Sequence, residues 1–124
     1  HPSVRYGRRV RLESVDNAVE QAKTAAANIC GKPARHEHIP WFWSDQYDVK
    51  LQIAGLSEGY DRTVLRGDPA SGSFALYYFA GDELLAVDAI NSMRDFMTGK
   101  KWLAERKRPD PALLADTTVD LKTL

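Results

Sequence analysis

The chain has 124 residues, 44% hydrophobic and 27% charged, the composition of a soluble globular domain with enough core to stand without disulfides. Seventeen basic residues balance seventeen acidic ones, but unevenly: residues 1–35 carry seven basic against three acidic, and 99–108 carry five against one, around an acidic middle. That distribution excludes a uniformly basic nucleic-acid surface and leaves local docking of an acidic protein open.

His1 is not a natural start, so the chain reads as a fragment, whether cut out or left by processing. Its first residues have no apolar core of a secretory signal, no run spans a bilayer, and Cys30 is the only cysteine, which together predict a cytoplasmic setting without membrane contact. Residues 4–12 alternate loosely between apolar residues and arginines, predicting a strand or extended approach over part of the segment. A helix follows over 15–30. Val15, Ala18, Val19, Ala22, Ala26 and Ile29 form one apolar stripe, Ser14 is the N-cap and Gly31 the left-handed stop. Asp16, Glu20, Lys23 and Asn28 are expected on its outer face, and Cys30 is expected as a small buried residue at the end of the stripe.

Residues 32–39 form a polar connector and divide the chain into two units, 1–35 and 36–124. Beyond it, Tyr47, Val49, Leu51 and Ile53 alternate with Asp48, Lys50 and Gln52, a strand with its apolar face turned inward. A turn at 55–59 leads to a strand near 62–66, and 67–72 reads as a loop. Strands at 74–79 and 83–89 flank the hairpin turn Gly81-Asp82, and both are apolar enough to be central. A second helix is expected from Ser92 past Leu103, with Met93, Phe96 and Met97 inward and Gly99 weakening it by about 1 kcal/mol relative to alanine. Residues 111–115 add a short turn. The order predicts an α+β fold: an antiparallel sheet of four or five strands with helices on one side.

The eight glycines include no GxGxxG or phosphate-loop spacing, so the chain has no motif for holding a dinucleotide by itself. His36-Glu37-His38 is too small a set for a closed metal site and reads as structural or solvated. Ser44-Asp45 lacks the context of a hydrolase nucleophile.

Pro40-Trp41-Phe42-Trp43-Ser44-Asp45 is the most unusual stretch. In an extended segment Trp41 and Trp43 share one face and Phe42 takes the other, either as core or interface filler or as a planar platform for a flat ligand or second domain. The stretch PWFWSDQYD, with Ile53 to Asp61, Arg66-Gly67-Asp68, Leu85 to Asn91, Asp95-Phe96 and Arg11-Leu12-Glu13-Ser14-Val15, resembles the C-terminal domain of the FAD-dependent NADH–ferredoxin reductases of bacterial oxygenase systems.

The resemblance implies that residues 1–35 close an FAD-binding domain whose phosphate loops, and those for NADH, lie elsewhere. It implies that the helix start at Glu13, Ser14 and Val15 faces the pyrimidine side of the flavin, where a helix N-terminus favours negative charge. Trp43 would line the isoalloxazine with Trp41 packed nearby. Lys23, Lys100 and Lys101 would form a basic rim steering an acidic two-iron, two-sulfur ferredoxin. The chain alone is expected to be inactive. The alternative is a stand-alone interaction or dimerisation module, and self-association of the chain is possible under either reading.

Overall fold

The computed structural model describes all of residues 1–124 and divides into two compact units, His1–Phe42 and Trp43–Leu124, with the boundary inside a strand. In the first unit, the segment predicted as extended is a miniature hairpin. Strand β1 (Pro2–Ser3) pairs antiparallel with β2 (Arg8–Arg9), and Val10 is buried behind it.

Helix α1 covers Val15–Ile29, starting and stopping where the sequence predicts. The Ser14 hydroxyl accepts the Asn17 amide at 3.2 Å. At the other end Lys32 N donates to Ala27 O at 2.8 Å and Gly31 N to Asn28 O at 3.1 Å, with Gly31 at φ +72°. These two bonds satisfy carbonyls that the helix itself leaves open. The faces, however, are reversed. Asp16 and Asn17 are the buried residues, whereas Val15, Val19 and Ile29 are 62%, 44% and 85% exposed. Cys30 is exposed as well. The side of α1 that is covered within its own unit is polar: Asn17 Nδ2 donates to Leu12 O at 2.8 Å and Gln21 Nε2 to Asn17 Oδ1 at 3.1 Å.

The second unit is an antiparallel sheet with helices on one side, as the element order predicts. Its strands are β3 (Trp41–Gln46), β4 (Val49–Gly55), β5 (Arg62–Asp68), β6 (Ser73–Ala80) and β7 (Glu83–Ile90), in spatial order β3-β4-β7-β6-β5. Between β5 and β6, residues 67–72 are not simply a loop: Pro69–Ser71 form a 3₁₀ turn capped by the Asp68 carboxylate. Gly81-Asp82 joins β6 to β7 as predicted, with Ala80 opposite Glu83. Helices α2 (Met93–Glu105) and α3 (Pro111–Ala115) lie against the sheet, and a 3₁₀ turn, Leu121–Thr123, ends the chain.

Register sets which side chains meet the helices. One row across the sheet reads Gln52, Ala89, Ala75, Arg66, and the next reads Ala54, Val87, Tyr77, Val64. Both rows are buried. The face of β4 is therefore opposite to expectation: Gln52 and Ala54 point under the helices, while Leu51 and Ile53 are only partly covered and Val49 is 43% exposed. Tyr47 is outside the strand altogether, in the β3–β4 turn at φ +56°.

Helix α2 differs in the same way. Its buried side is Asp95, Phe96, Gly99, Trp102 and Leu103, and Met93 and Met97 are more than half exposed. Gly99 explains the choice of face. A Cβ there would lie 2.4 Å from Val87 Cγ1, so the missing side chain is what lets the helix backbone settle on the sheet.

Candidate functional site

The residues singled out from the sequence are divided between the two units. In the first unit the centre is the first turn of α1. Val15 and Asp16 precede the first intrahelical bond, Ala18 N to Ser14 O at 3.1 Å, so helix geometry gives their amides no acceptor within α1. With Ser14 occupied in capping Asn17, this turn presents backbone N–H groups and the positive end of a fifteen-residue helix. An electron-rich oxygen or ring nitrogen fits such a place.

Asp16 shapes the turn from the inside, a role the sequence reading missed. His38 Nε2 lies 2.9 Å from both Asp16 carboxylate oxygens, a geometry that puts the ring proton on Nε2, and the Trp41 amide donates to Asp16 Oδ2 at 3.3 Å. The connector is thus tied back to the helix, and Ser14, Asp16 and the Trp41 backbone are brought together within His1–Phe42. The available signal was an acid in a first helical turn and a histidine just ahead of the aromatic stretch. His36 packs edge-on against His1 with ring centroids 4.5 Å apart. No group of three His, Cys, Asp or Glu side chains is arranged to hold a metal ion.

Glu13 stands apart from this centre, exposed and paired with Arg11 Nε at 2.9 Å. Lys23 donates to Glu20 at 2.6 Å on the surface of α1, and that hydrogen bond holds the Glu20 carboxyl below its usual range. Trp41 is partly buried, and Phe42 is 44% exposed.

In the second unit, Trp43 is 39% exposed on β3, an edge strand of the sheet. Lys100 is partly buried. Lys101 is exposed, with its ammonium 3.9 Å from Glu105 one turn on. An open groove of about 490 Å³ near the β3–β4 turn is lined by Asp45, Tyr47, Lys50, Asn91 and Met93, and by none of the predicted site residues.

The most highly organised polar cluster of this unit was not anticipated. Asp95, on the buried side of α2, accepts the Tyr77 hydroxyl at 2.7 Å and the Ser92 hydroxyl at 2.6 Å. Arg66 lies alongside, Nε 3.8 Å from Asp95 Oδ1, and donates to the carbonyls of Leu114, Asp116 and Val119 at 2.9, 2.8 and 2.7 Å. Burial, and then the neighbouring Asp95 charge, raise the Tyr77 phenol far above its ordinary value, so it is a donor at all working pH. Two hydroxyls on Asp95 and three backbone carbonyls on Arg66, joined by the contact between the two charges, mark this as a structural network.

On the other face of the sheet, the Tyr78 hydroxyl donates to Asp88 at 2.7 Å and its ring packs edge-on to Tyr60. Burial pushes the Asp88 carboxyl up, partly offset by the Tyr78 hydrogen bond. No helix in the chain is long and apolar enough to cross a membrane.

Residues 41–124 match the family described as Reductase C-terminal. Over 119 residues the chain is 49% identical to putidaredoxin reductase CamA of Pseudomonas putida, covering 96% of this chain and 28% of that protein. Over 118 residues it is 45% identical to the 5,5'-dehydrodivanillate O-demethylase ferredoxin reductase subunit of a Sphingobium strain, covering 95% and 29%. Among solved structures, the covalent putidaredoxin reductase–putidaredoxin complex superposes with a TM-score of 0.91 at 49% identity, over 97% of this chain and 29% of that one. The ferredoxin reductase for the CYP199A2 system of Rhodopseudomonas palustris gives 0.93 at 41% identity, over 98% and 30%. The chain thus spans less than a third of the length of these relatives.

Proposed function

The chain belongs to the Reductase C-terminal family, and on that premise we propose that it serves a flavoprotein passing electrons from NADH through FAD to a two-iron, two-sulfur ferredoxin. Bound FAD supplies the conversion of a two-electron hydride into single electrons. This chain's part is to surround the flavin and receive the partner. The amides of Val15 and Asp16, at the open positive end of α1, stabilise negative charge on the pyrimidine side of the ring, Ser14 caps the turn that carries them, and Glu13 lies next to it on the exposed approach. Trp43 lines the isoalloxazine, and Trp41, whose backbone Asp16 holds, packs nearby. Lys23, Lys100 and Lys101 steer an acidic ferredoxin, an effect that weakens with salt.

The observation that carries this reading is the inverted α1. A helix that covers Asp16 and Asn17 while leaving Val15, Val19 and Ile29 open is shaped to pack on apolar surface outside the described residues. The test uses the whole parent protein. Trp43→Ala is expected to change flavin fluorescence and to slow ferredoxin reduction, and no change in either removes Trp43 from the flavin's surroundings. The 124-residue chain alone is expected to show no flavin absorbance and no NADH oxidation; tightly bound FAD in it would overturn the assignment of the phosphate-binding loops to other sequence.

The same open stripe supports a second reading, in which the chain is an interaction module that associates through α1. Sedimentation equilibrium separates the two. Dimers dissolved by Val19→Glu favour the module, and a monomer at high concentration removes it.

A further inference from the structure

The geometry points to residues 110–124 as a strap that opens and recloses as one unit on a latch formed by Arg66, while the sheet stays folded. The backbone hydrogen bonds of the strap close on themselves: Leu114 N to Asp110 O, Asp116 N to Leu113 O, Val119 N to Asp116 O and Thr123 N to Asp120 O. No residue of the strap belongs to either sheet. Three of its carbonyls instead converge on one guanidinium, those of Leu114, Asp116 and Val119. Leu114 and Leu121, 0% and 3% exposed, are its apolar anchors, and the surface pair Arg94–Asp120 adds little.

Arg66 is secured independently of what it holds. Asp95 lies on its other side, fixed in turn by Tyr77 and Ser92, so departure of the strap leaves the guanidinium beside a carboxylate and open to water. An uncompensated buried charge, the usual obstacle to such an opening, is avoided. The long ladders β5–β6, β6–β7 and β4–β7 involve none of the strap's groups. Segments with self-contained hydrogen bonding and few anchors open below the global unfolding free energy. Opening would widen a recess of about 190 Å³ lined by Arg66, Phe74, Ser92, Asp95, Thr117 and Leu121.

Amide hydrogen exchange by NMR on the full 124-residue chain, at stepped sub-denaturing guanidinium, tests this. The amides of Leu114, Asp116, Val119 and Thr123 are expected to exchange through one common opening with little denaturant dependence, at least tenfold faster than those of β6 and β7. Arg66→Lys keeps a cation beside Asp95 but loses the planar fork. It is expected to speed the strap amides at least tenfold further and, because global unfolding also releases the strap, to speed the sheet amides by no more than a similar factor. Val87→Ala, which weakens the sheet whether the strap is closed or open, is expected to speed the sheet amides and leave the strap amides within twofold. Leu121→Ala, which spares the charged network, is expected to speed the same four amides together and decides the matter if Arg66→Lys does not fold. Strap amides that follow the rates and denaturant dependence of the sheet, strap amides that neither Arg66→Lys nor Leu121→Ala speeds, or a Val87→Ala that speeds both sets equally, would overturn the proposal.

Discussion

Replacing Gly99 with alanine sets two effects of opposite sign against each other. Helix propensity alone favours alanine by about 1 kcal/mol in a helix interior. Against it, the new methyl would sit 2.4 Å from Val87 Cγ1 and 3.1 Å from Val87 Cβ, both well inside contact distance, beneath a buried helix face. Val87 is fully buried and cannot swing away. Overpacking of this kind costs about 1–3 kcal/mol, and the severity of the overlap places it at the upper end. The net expectation for Gly99→Ala is a loss of about 2 kcal/mol, which for a unit the size of Trp43–Leu124 lowers Tm by about 8–16 °C. Urea and thermal unfolding followed by circular dichroism measure it. Val87→Ala removes Cγ1, the methyl that collides, and leaves only the milder approach to Cβ, so in the double variant most of the cost of Gly99→Ala should vanish, a coupling of about 1 kcal/mol or more, as expected for touching residues. A Gly99→Ala protein more stable than the parent, or strictly additive variants, would refute the idea that this glycine is kept for the helix–sheet approach.

Two further outcomes are expected. Tyr77→Phe removes one donor from the buried Asp95 while Arg66 and Ser92 remain, and should cost about 1–3 kcal/mol by urea unfolding; a change below about 0.5 kcal/mol would mean the hydroxyl contributes no net stability. Asp88 has a raised carboxyl pKa in the folded state, so at neutral pH its charge is penalised on folding, and the penalty fades as pH falls through the raised value toward 3.8. Asp88→Asn still accepts from Tyr78 and never pays that penalty. Its stability advantage over the parent should therefore be largest at pH 7 and shrink toward pH 4, and a gap that is flat with pH would count against burial as the cause.

What was legible in the sequence was what neighbours in the chain decide. The cap at Ser14, the stop at Gly31 and the Gly81-Asp82 turn each rest on bonds that span only a few residues, and each appears where predicted. The sheet, with its helices on one side, followed from counting such segments. Which face of an element is covered is a different matter, because it depends on partners far along the chain. The alternation at Leu51 and Ile53 was read correctly as a strand, but register aligns Gln52 with Ala89, Ala75 and Arg66 under the helices. Met93 and Met97 look like core by hydropathy, yet Gly99 lets the backbone itself approach, and that selects the other side of α2. Asp16, Arg66 and Asp95 were invisible as organising residues because a buried ion or hydrogen bond leaves no period in the sequence. Trp41 and Trp43 stood out by their spacing in one short extended stretch, a local signal that says nothing of what covers them.

The three indoles differ in setting: Trp102 is 3% exposed beneath Lys107, Trp41 is intermediate and Trp43 is 39% exposed on the sheet's rim. A dry indole emits toward the blue and is shielded from iodide, whereas a wet one emits toward the red and is quenched. The protein therefore carries its own pair of optical reporters, one reading the integrity of the interior and the other reading whatever arrives at the edge. Selective quenching can follow an arriving partner without any attached dye.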